Sequence, residues 1–220
     1  SMIPLKKQWF SQCGIRIAYD DELLRLAAAS GCRGMFIGLE SLSQDNLAAW
    51  HKNFNRANDY IRAIEKIHSA GIGVFAGIIF GMDADTPAVF EQTLDFLYQA
   101  KVDALQATIL TPFPGTPLFD EMDSQGRIID RDWSKYNFGH VVFELRNMSP
   151  ETLIAGNAWV QSKFYSRRSV WRRIWQAFGY LSPSIIVRAL APLNFGYRWR
   201  HQAYGTFERG RDFVPPYASS

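Results

Sequence analysis

Val74-Phe75-Ala76-Gly77-Ile78-Ile79-Phe80-Gly81-Met82-Asp83 is an apolar run that carries two glycines four residues apart and ends in an acid. Continuous apolar character over so short a length predicts a strand covered on both faces, as in a parallel sheet. Glycine weakens a strand interior unless another part of the chain or a ligand must approach closely there. Two readings therefore stand for Gly77 and Gly81: a tight helix–strand contact, or a wall that touches a ligand.

Around this run the same unit repeats. Cys13 to Ala18 reads as a strand, Asp20-Asp21-Glu22 starts a helix through Leu23-Leu24-Arg25-Leu26-Ala27, and Ser30-Gly31 stops it. Met35 to Leu39 is the next buried strand, followed by helices over about Ser43–Trp50 and Ala57–Ala70, the second striped by Ile61, Ile64 and Ile67 and closed by Gly71. Thr86-Pro87 offers an N-cap and a first-turn proline to a helix whose face is Phe90, Leu94, Leu97 and Tyr98. Ala104 to Leu110 is a fourth strand, running into the rigid turn Thr111-Pro112-Phe113-Pro114-Gly115-Thr116-Pro117 and a short helix. Such alternation implies an α/β fold with parallel strands joined by right-handed crossovers. Four βα units are too few to close a barrel, so they form an open sheet or part of a barrel whose earlier strands lie upstream.

After residue 130 the alternation ends. Trp133, Tyr136 and Val141-Val142-Phe143 suggest an irregular linker, Ser149-Pro150-Glu151 caps a helix to about Tyr165, and further helices follow over Val170–Phe178 and from Pro183 to Leu190. The segment Asn194–Ser220, rich in Gly, Tyr, Arg and Pro, reads as an extended arm or a disordered tail. The expected organisation is a sheet domain over 1–130, a mainly helical basic extension over 131–193 and a tail over 194–220.

Composition narrows the class. The 220 residues, 47% hydrophobic, exclude wholesale disorder and suffice for a real core. Ile72 to Phe80 is too short and too interrupted by glycine to span a bilayer. No signal peptide is visible, and Ser1-Met2 reads as a cloning remnant, which suggests a chain that starts inside a longer protein. Cys13 and Cys32 form neither a zinc pattern nor a disulfide framework; buried thiols in a reducing, cytoplasmic compartment are the default. Charge is uneven: residues 1–150 hold 14 Lys/Arg against 18 Asp/Glu, and residues 151–220 hold 10 against 3. The basic C-terminal third suits something anionic: phosphates, lipid headgroups or an acidic partner.

In parallel α/β sheets ligands bind outside the carboxyl ends of the strands. Those ends carry Gly38-Leu39-Glu40-Ser41, Gly81-Met82-Asp83 and the Thr111–Thr116 turn. A carboxylate such as Glu40 can accept hydrogen bonds from a ribose diol, with a solvated loop acid as the alternative. Gly77 and Gly81 would let a flat ring lie on bare backbone while Ile79, Phe80 or Met82 packs on its face, and the Pro-rich turn could read the ring's edge. A purine nucleoside fits all three.

These residues resemble the radical S-adenosylmethionine enzymes, most closely the branch with an N-terminal cobalamin-binding domain. The resemblance runs through Gly38-Leu39-Glu40-Ser41, Lys52-Asn53, the Gly77-x-Ile79-x-Gly81 strand and Thr111-Pro112-Phe113-Pro114-Gly115-Thr116-Pro117. It continues through Gly126-Arg127 and Asp132-Trp133 to Phe164-Tyr165-Ser166, and covers about residues 8 to 175. It implies a partial (β/α) barrel, of which this chain supplies the C-terminal part of six units, followed by a mainly helical extension. It implies a site for S-adenosylmethionine built from Glu40, Ser41, Lys52, Gly77, Ile79, Gly81, Thr111, Pro112, Phe113 and Pro114. Glu40 would bind the ribose, Lys52 the carboxylate or ribose, and Gly77–Gly81 with the Pro112 turn the adenine. Asp83 stands one residue from a position where some members carry a glutamate. No catalytic or metal-binding residue is assigned. The three clustered cysteines that hold the family's [4Fe-4S] cluster are not in this sequence, so the resemblance places the ligands of the cluster and of cobalamin outside the chain.

The expected function is thus one part of a methyl or carbon-centred group transferase, inactive alone and partnered by the missing half-barrel and a cobalamin-binding domain. Some members of the resembling branch modify membrane lipids such as hopanoids, which ranks lipid above nucleic acid for the basic tail. In that tail Arg167, Arg168, Arg172, Arg173, Arg198 and Arg200 interleave with Tyr165, Trp171, Trp175, Tyr197 and Trp199, a pattern for a peripheral contact at the inner membrane surface. The alternative is aromatics packed on the barrel beneath solvated arginines. Two other functions stand beside it: a non-catalytic half-barrel scaffold that binds a membrane, nucleic acid or partner, and a barrel enzyme holding phosphate at Pro114-Gly115-Thr116.

Overall fold

A computed structural model describes residues 2–49 and 59–216. Its centre is a four-stranded sheet, β1 (Trp9–Cys13), β2 (Cys32–Glu40), β3 (Gly73–Phe80) and β4 (Ala104–Ile109), all parallel and in sequence order. The connections are helical: α1 (Asp21–Ala29) before β2, α2 (Gln44–Ala49) and α3 (Tyr60–Ser69) before β3, and α4 (Val89–Gln99) before β4. After β4 come α5 (Pro117–Ser124), α6 (Pro150–Phe164), α7 (Arg167–Ala177), α8 (Pro183–Ile185), a π-helical stretch Ile186–Leu190, α9 (Ala191–Ala203) and α10 (Thr206–Arg209). The expected α/β partial barrel with a helical extension is the observed fold. Helix starts follow capping chemistry: Asp20 accepts from the Leu23 amide, Thr116 from Phe119 and Ser149 from Thr152, the last two with proline in the first turn.

Because successive side chains alternate, each strand shows two rows. Met35, Ile37 and Leu39 of β2 and Val74, Ala76, Ile78 and Phe80 of β3 are buried under the helices. The other row points to the opposite face, where the register sets Gly34 beside Gly73, Phe36 beside Phe75 and Gly38 beside Gly77, and where Tyr197 of α9 meets Phe75 at 5.6 Å. Two G-x-F-x-G strands therefore lie side by side, their rings meeting edge to face at 5.1 Å. This face is less buried: Phe10 is exposed, and Phe36, Phe75 and Ile79 are half-buried. α6 to α8 share the main core with the sheet, contributing Leu153, Phe164, Tyr165, Ile174 and Ile185.

A buried polar cluster fastens the helices to the N-terminal end of the sheet. Asp103 accepts from the Val74 amide (2.8 Å) and the Tyr180 hydroxyl (2.6 Å), and its other contact is His68 Nε2 at 3.0 Å. Asn194 donates to the carbonyls of Asp103 and Leu190 and accepts from Arg173, whose guanidinium also donates to the Phe164 carbonyl. Burial lowers the Arg173 pKa to about 10, which leaves it charged at neutral pH.

Three expectations are corrected. The first strand is Trp9–Cys13, not Cys13–Ala18; Gly14 ends it, and Ile15–Tyr19 is a 3-10 turn that buries Ile15 and Ala18. Thr86 does not cap α4, which starts at Val89 without a side-chain cap; Asp85, just before Thr86, turns inward instead. Residues 194–216 are mostly helical, and the 193/194 boundary falls inside α9. Polar anchoring outweighs composition there, since Asn194 is wholly buried and Tyr197 stacks on Tyr165 at 5.4 Å. The helix expected over Ala57–Ala70 is seen from Tyr60, and its first residues lie outside the described ones.

Candidate functional site

The C-terminal strand ends gather most of the residues singled out in the sequence. β2 ends in a bulge between Gly38 and Glu40, where Glu40 adopts φ +66°. The kink lays its carboxylate back over Gly38: a Cβ at position 38 would stand 2.5 Å from Glu40 Oε1. Gly38 and Gly77 thus form a floor of bare backbone, with the Glu40 carboxylate at one margin. At the other margin lies Phe36, whose ring tip would be 2.8 Å from a Cβ at 77. The close approach that Gly77 permits is made here by a ring from the neighbouring strand. Gly81 has φ +97°, and a Cβ there would meet Leu153 at 2.8 Å, so α6 fills that space. Ile79 continues the row, paired with Thr108 of β4.

Ser41 points the other way. Its hydroxyl is buried and accepts from the Ser43 amide (3.0 Å) and Asn46 Nδ2 (3.3 Å). Asn46 also donates to Asp85 Oδ1 (2.7 Å) and accepts from the Ala84 amide (3.0 Å), while Asp85 Oδ2 accepts from the amides of Gly81 (2.9 Å) and Met82 (3.1 Å). This clamp joins the loops after β2 and β3. Burial raises the Asp85 pKa to about 6, against the opposing pull of those hydrogen bonds.

Asp83 is a structural hub. Arg127 grips it with both terminal nitrogens (3.0 and 2.6 Å), Arg146 Nε adds 2.7 Å, and Arg127 also donates to the Glu144 carbonyl. Burial works against the Asp83 charge, but the hydrogen bonds and charges of the two arginines outweigh it and hold the carboxyl below its ordinary range.

In the turn after β4, Thr111 donates to the Ile109 carbonyl, Pro112 is buried, and Phe113 lies edge-on to Phe138 at 5.1 Å. Pro114 is exposed and Gly115 has φ +80°. The Thr116 hydroxyl is committed to the α5 cap and to the Phe113 carbonyl, which leaves little for phosphate to engage. Beside the strand ends a cavity of about 340 Å³ is lined by Asn46, Asp83, Leu110, Leu118 and Arg127. A more apolar cavity of about 270 Å³ lies at the opposite end of the strands, under α8 and α9.

The structure therefore brings Glu40, Gly77 and Ile79 to one open face with the Thr111–Pro114 turn near its end, and turns Ser41 and Gly81 toward protein. Lys52 lies outside the described residues. Sequence reasoning missed Phe36, Asn46 and Asp85. The repeat Gly34-Met35-Phe36-Ile37-Gly38 and Gly73-Val74-Phe75-Ala76-Gly77 was the available signal for Phe36; Asn46 had none. For an iron–sulfur cluster this chain's residues do not fit: among the described residues no three His, Cys, Asp or Glu group around a common point. Burial raises both thiols, Cys32 to about 11, away from the thiolate a metal needs.

A family profile described as the Radical SAM superfamily matches residues 10–97. Bacteriochlorophyllide d C-12(1)-methyltransferase of Chlorobaculum tepidum is 33% identical over 173 residues, which is 79% of this chain and 38% of that protein. Hopanoid C-2 methylase of Rhodopseudomonas palustris is 33% identical over 118 residues, 54% of this chain and 22% of that protein. Among solved structures, the radical S-adenosylmethionine methyltransferase TsrM from Kitasatospora setae, with cobalamin and a [4Fe-4S] cluster bound, superposes with a TM-score of 0.50. The identity is 16%, with 92% of this chain and 44% of that one covered. The chain spans less than half the length of each of these proteins.

Proposed function

We propose, because the chain belongs to the radical S-adenosylmethionine superfamily through residues 10–97, that it supplies the ribose and adenine side of an S-adenosylmethionine site in a methyl-transferring enzyme. One observation carries the reading: the Gly38–Gly77 floor on the open sheet face with the Glu40 carboxylate bent over it. Glu40 accepts from the ribose hydroxyls, Ile79 packs against the adenine, and the backbone of Thr111–Pro114 reads its edge. Phe36 must swing off Gly77 for a flat ring to reach the floor. Ser41 and Gly81 act by shaping the loops, and Lys52 is assigned the carboxylate or ribose. Where superfamily members bind a [4Fe-4S] cluster, it supplies the reducing electron; its ligands, and those of any cobalamin, belong to other parts of the intact protein. Methyl or another carbon-centred group is transferred, on substrates of which a lipid is one candidate, and this chain alone is inactive.

The test is calorimetry of S-adenosylmethionine binding to the intact, reconstituted protein. A charge-assisted hydrogen bond contributes about 1.5–3 kcal/mol, so Glu40→Gln should weaken binding by roughly 10- to 100-fold. Unchanged affinity would sink the assignment.

A second reading concerns the helices. Trp171 and Trp175 on α7 are 61% and 80% exposed, and Trp199 on α9 is 73% exposed. Trp171 touches Phe195, one turn before Trp199, so the exposed rings continue from α7 to α9. No acidic residue occurs between Glu151 and Glu208. An acid-free stretch of sequence with tryptophans facing solvent suits the headgroup layer of an anionic bilayer. Among the described residues no helix is long and apolar enough to cross a membrane, so this contact is peripheral. Flotation with phosphatidylglycerol vesicles should carry the protein, and Trp175→Ser/Trp199→Ser should lose most of that binding. Equal flotation of the variant would remove this reading, and binding to single-stranded nucleic acid in place of vesicles would replace it.

A further inference from the structure

β4 is an edge strand, and its outer side is not bare. Tyr165 closes both backbone groups of Leu105 with its hydroxyl, and the Phe138 carbonyl takes the Ile109 amide. Along this edge runs a groove of about 610 Å³, walled by β4, the Asn137–His140 segment, α6, α9 and α10. Its floor is continuous with the open sheet face, because Gln106 pairs in register with Gly77 and Thr108 with Ile79. An occupant of the groove is therefore one strand away from the Gly77–Ile79 row.

The groove has a definite chemistry. No Asp or Glu lines it, whereas Arg200 from α9 and Arg209 from α10 do. Neither arginine has a salt bridge among the described residues; Arg200 lies 5.8 Å from the Tyr204 ring, and Arg209 reaches Thr206 at 3.5 Å. His201 also lines the groove, and its Nε2 is the one buried side-chain nitrogen or oxygen among the described residues without a hydrogen-bond partner. Burial, and then Arg200 and Arg209, lower the His201 pKa to about 4, so at neutral pH the ring is neutral and the cationic charge sits on the arginines. Arginines lacking counter-ions beside low-dielectric walls focus positive potential, and their planar forks match carboxylate and phosphate oxygens. Tyr197, Tyr204 and Phe138 offer apolar surface to the remainder of a ligand.

We propose that this groove holds the acceptor substrate, and that the substrate bears an oxyanion, a carboxylate or a phosphate, gripped by Arg200 and Arg209 while its apolar body lies along β4 toward Gly77. The proposal rests on the reading of the Glu40–Gly77 face as the nucleoside side, since that reading makes the groove its neighbour.

The test uses three probes of one shape on the intact protein: 1-naphthylacetate, 1-naphthyl phosphate and the neutral 2-(1-naphthyl)ethanol, with dissociation constants read by calorimetry. At least one anion should bind about tenfold or more tighter than the alcohol, and the tighter anion tells carboxylate from phosphate. Arg200→Gln/Arg209→Gln should abolish that preference and leave the alcohol's affinity unchanged, while Arg200→Lys/Arg209→Lys should keep part of it. Melting temperatures establish that the variants are folded. Equal binding of all three probes, or a preference that survives the Gln variant, overturns the proposal. Glu40→Gln should leave the anion preference intact. Loss of S-adenosylmethionine binding in Glu40→Gln and loss of anion preference in the arginine variant are separate readouts, so each reading fails on its own measurement.

Discussion

Glu40 is held where a side chain rarely sits, at a positive φ that costs of order 1–3 kcal/mol. Such strain persists where the surroundings over-determine the backbone, and here the Ser41–Asn46–Asp85 clamp does so immediately downstream. Asp85 is the clamp's sensitive member. Its folded pKa, about 6, lies above the ordinary carboxylate value, so the folded state binds its proton more tightly than the unfolded chain. The resulting contribution to stability is complete below about pH 4 and is lost as pH rises through about 6. Carbon-13 carboxyl titration should therefore place the Asp85 midpoint near 6, and the stability of the protein relative to Asp85→Ala should fall between pH 4 and 7. A midpoint below 4.5 would show that the amides of Gly81 and Met82 outweigh burial. Asp83, two residues earlier, drew attention in the sequence through its nearness to a family glutamate. Its arginine partners explain it instead as the post that ties the β3 loop to the segment following α5.

At the scale of elements, the G-x-F-x-G strands explain the glycines better than either strand does alone. A ring from β2 occupies the space over Gly77, so substituting either member of the pair should affect the other. Gly77→Ala should destabilise by about 1–3 kcal/mol through overpacking against Phe36. Phe36→Leu, which replaces the ring with a shorter aliphatic side chain, should cost less in the Gly77→Ala background than in the parent. A double-mutant cycle by denaturant unfolding measures that coupling, and additive effects would mean that the Phe36 ring moves aside freely. The same mobility decides whether the floor opens to a flat ligand. The edge of β4 is managed differently: a tyrosine hydroxyl and a loop carbonyl close it, which protects it from pairing with another chain and leaves side chains to define the groove.

Across the whole molecule, charge and topology divide the labour. The sheet half is acidic in balance and carries the strand-end site; the helical half is basic and carries both the groove arginines and the exposed tryptophans. If the tryptophan face meets an anionic bilayer, raising ionic strength should weaken vesicle binding, because exposed arginine–phosphate attraction is screened within a Debye length of about 8 Å at physiological salt. Salt-independent flotation would assign the contact to the aromatic rings alone. The amino-acid sequence by itself determined the alternation of strands and helices, the parallel sheet, the starts of α1, α2, α5, α6 and α8, and the strand-end positions, because those rest on local periodicity, capping and turn chemistry. The expectation of an extended or disordered tail is not met over residues 194–216, where one buried asparagine, bound by residues far away in the chain, outweighs a composition rich in Gly, Tyr, Arg and Pro. Only the tertiary structure decided which side of each strand is open, that Phe36 covers Gly77, that Ser41 turns inward, and that Arg200 and Arg209 line the groove along the edge of β4. Those facts depend on register and on contacts across tens of residues, and no local pattern carries them.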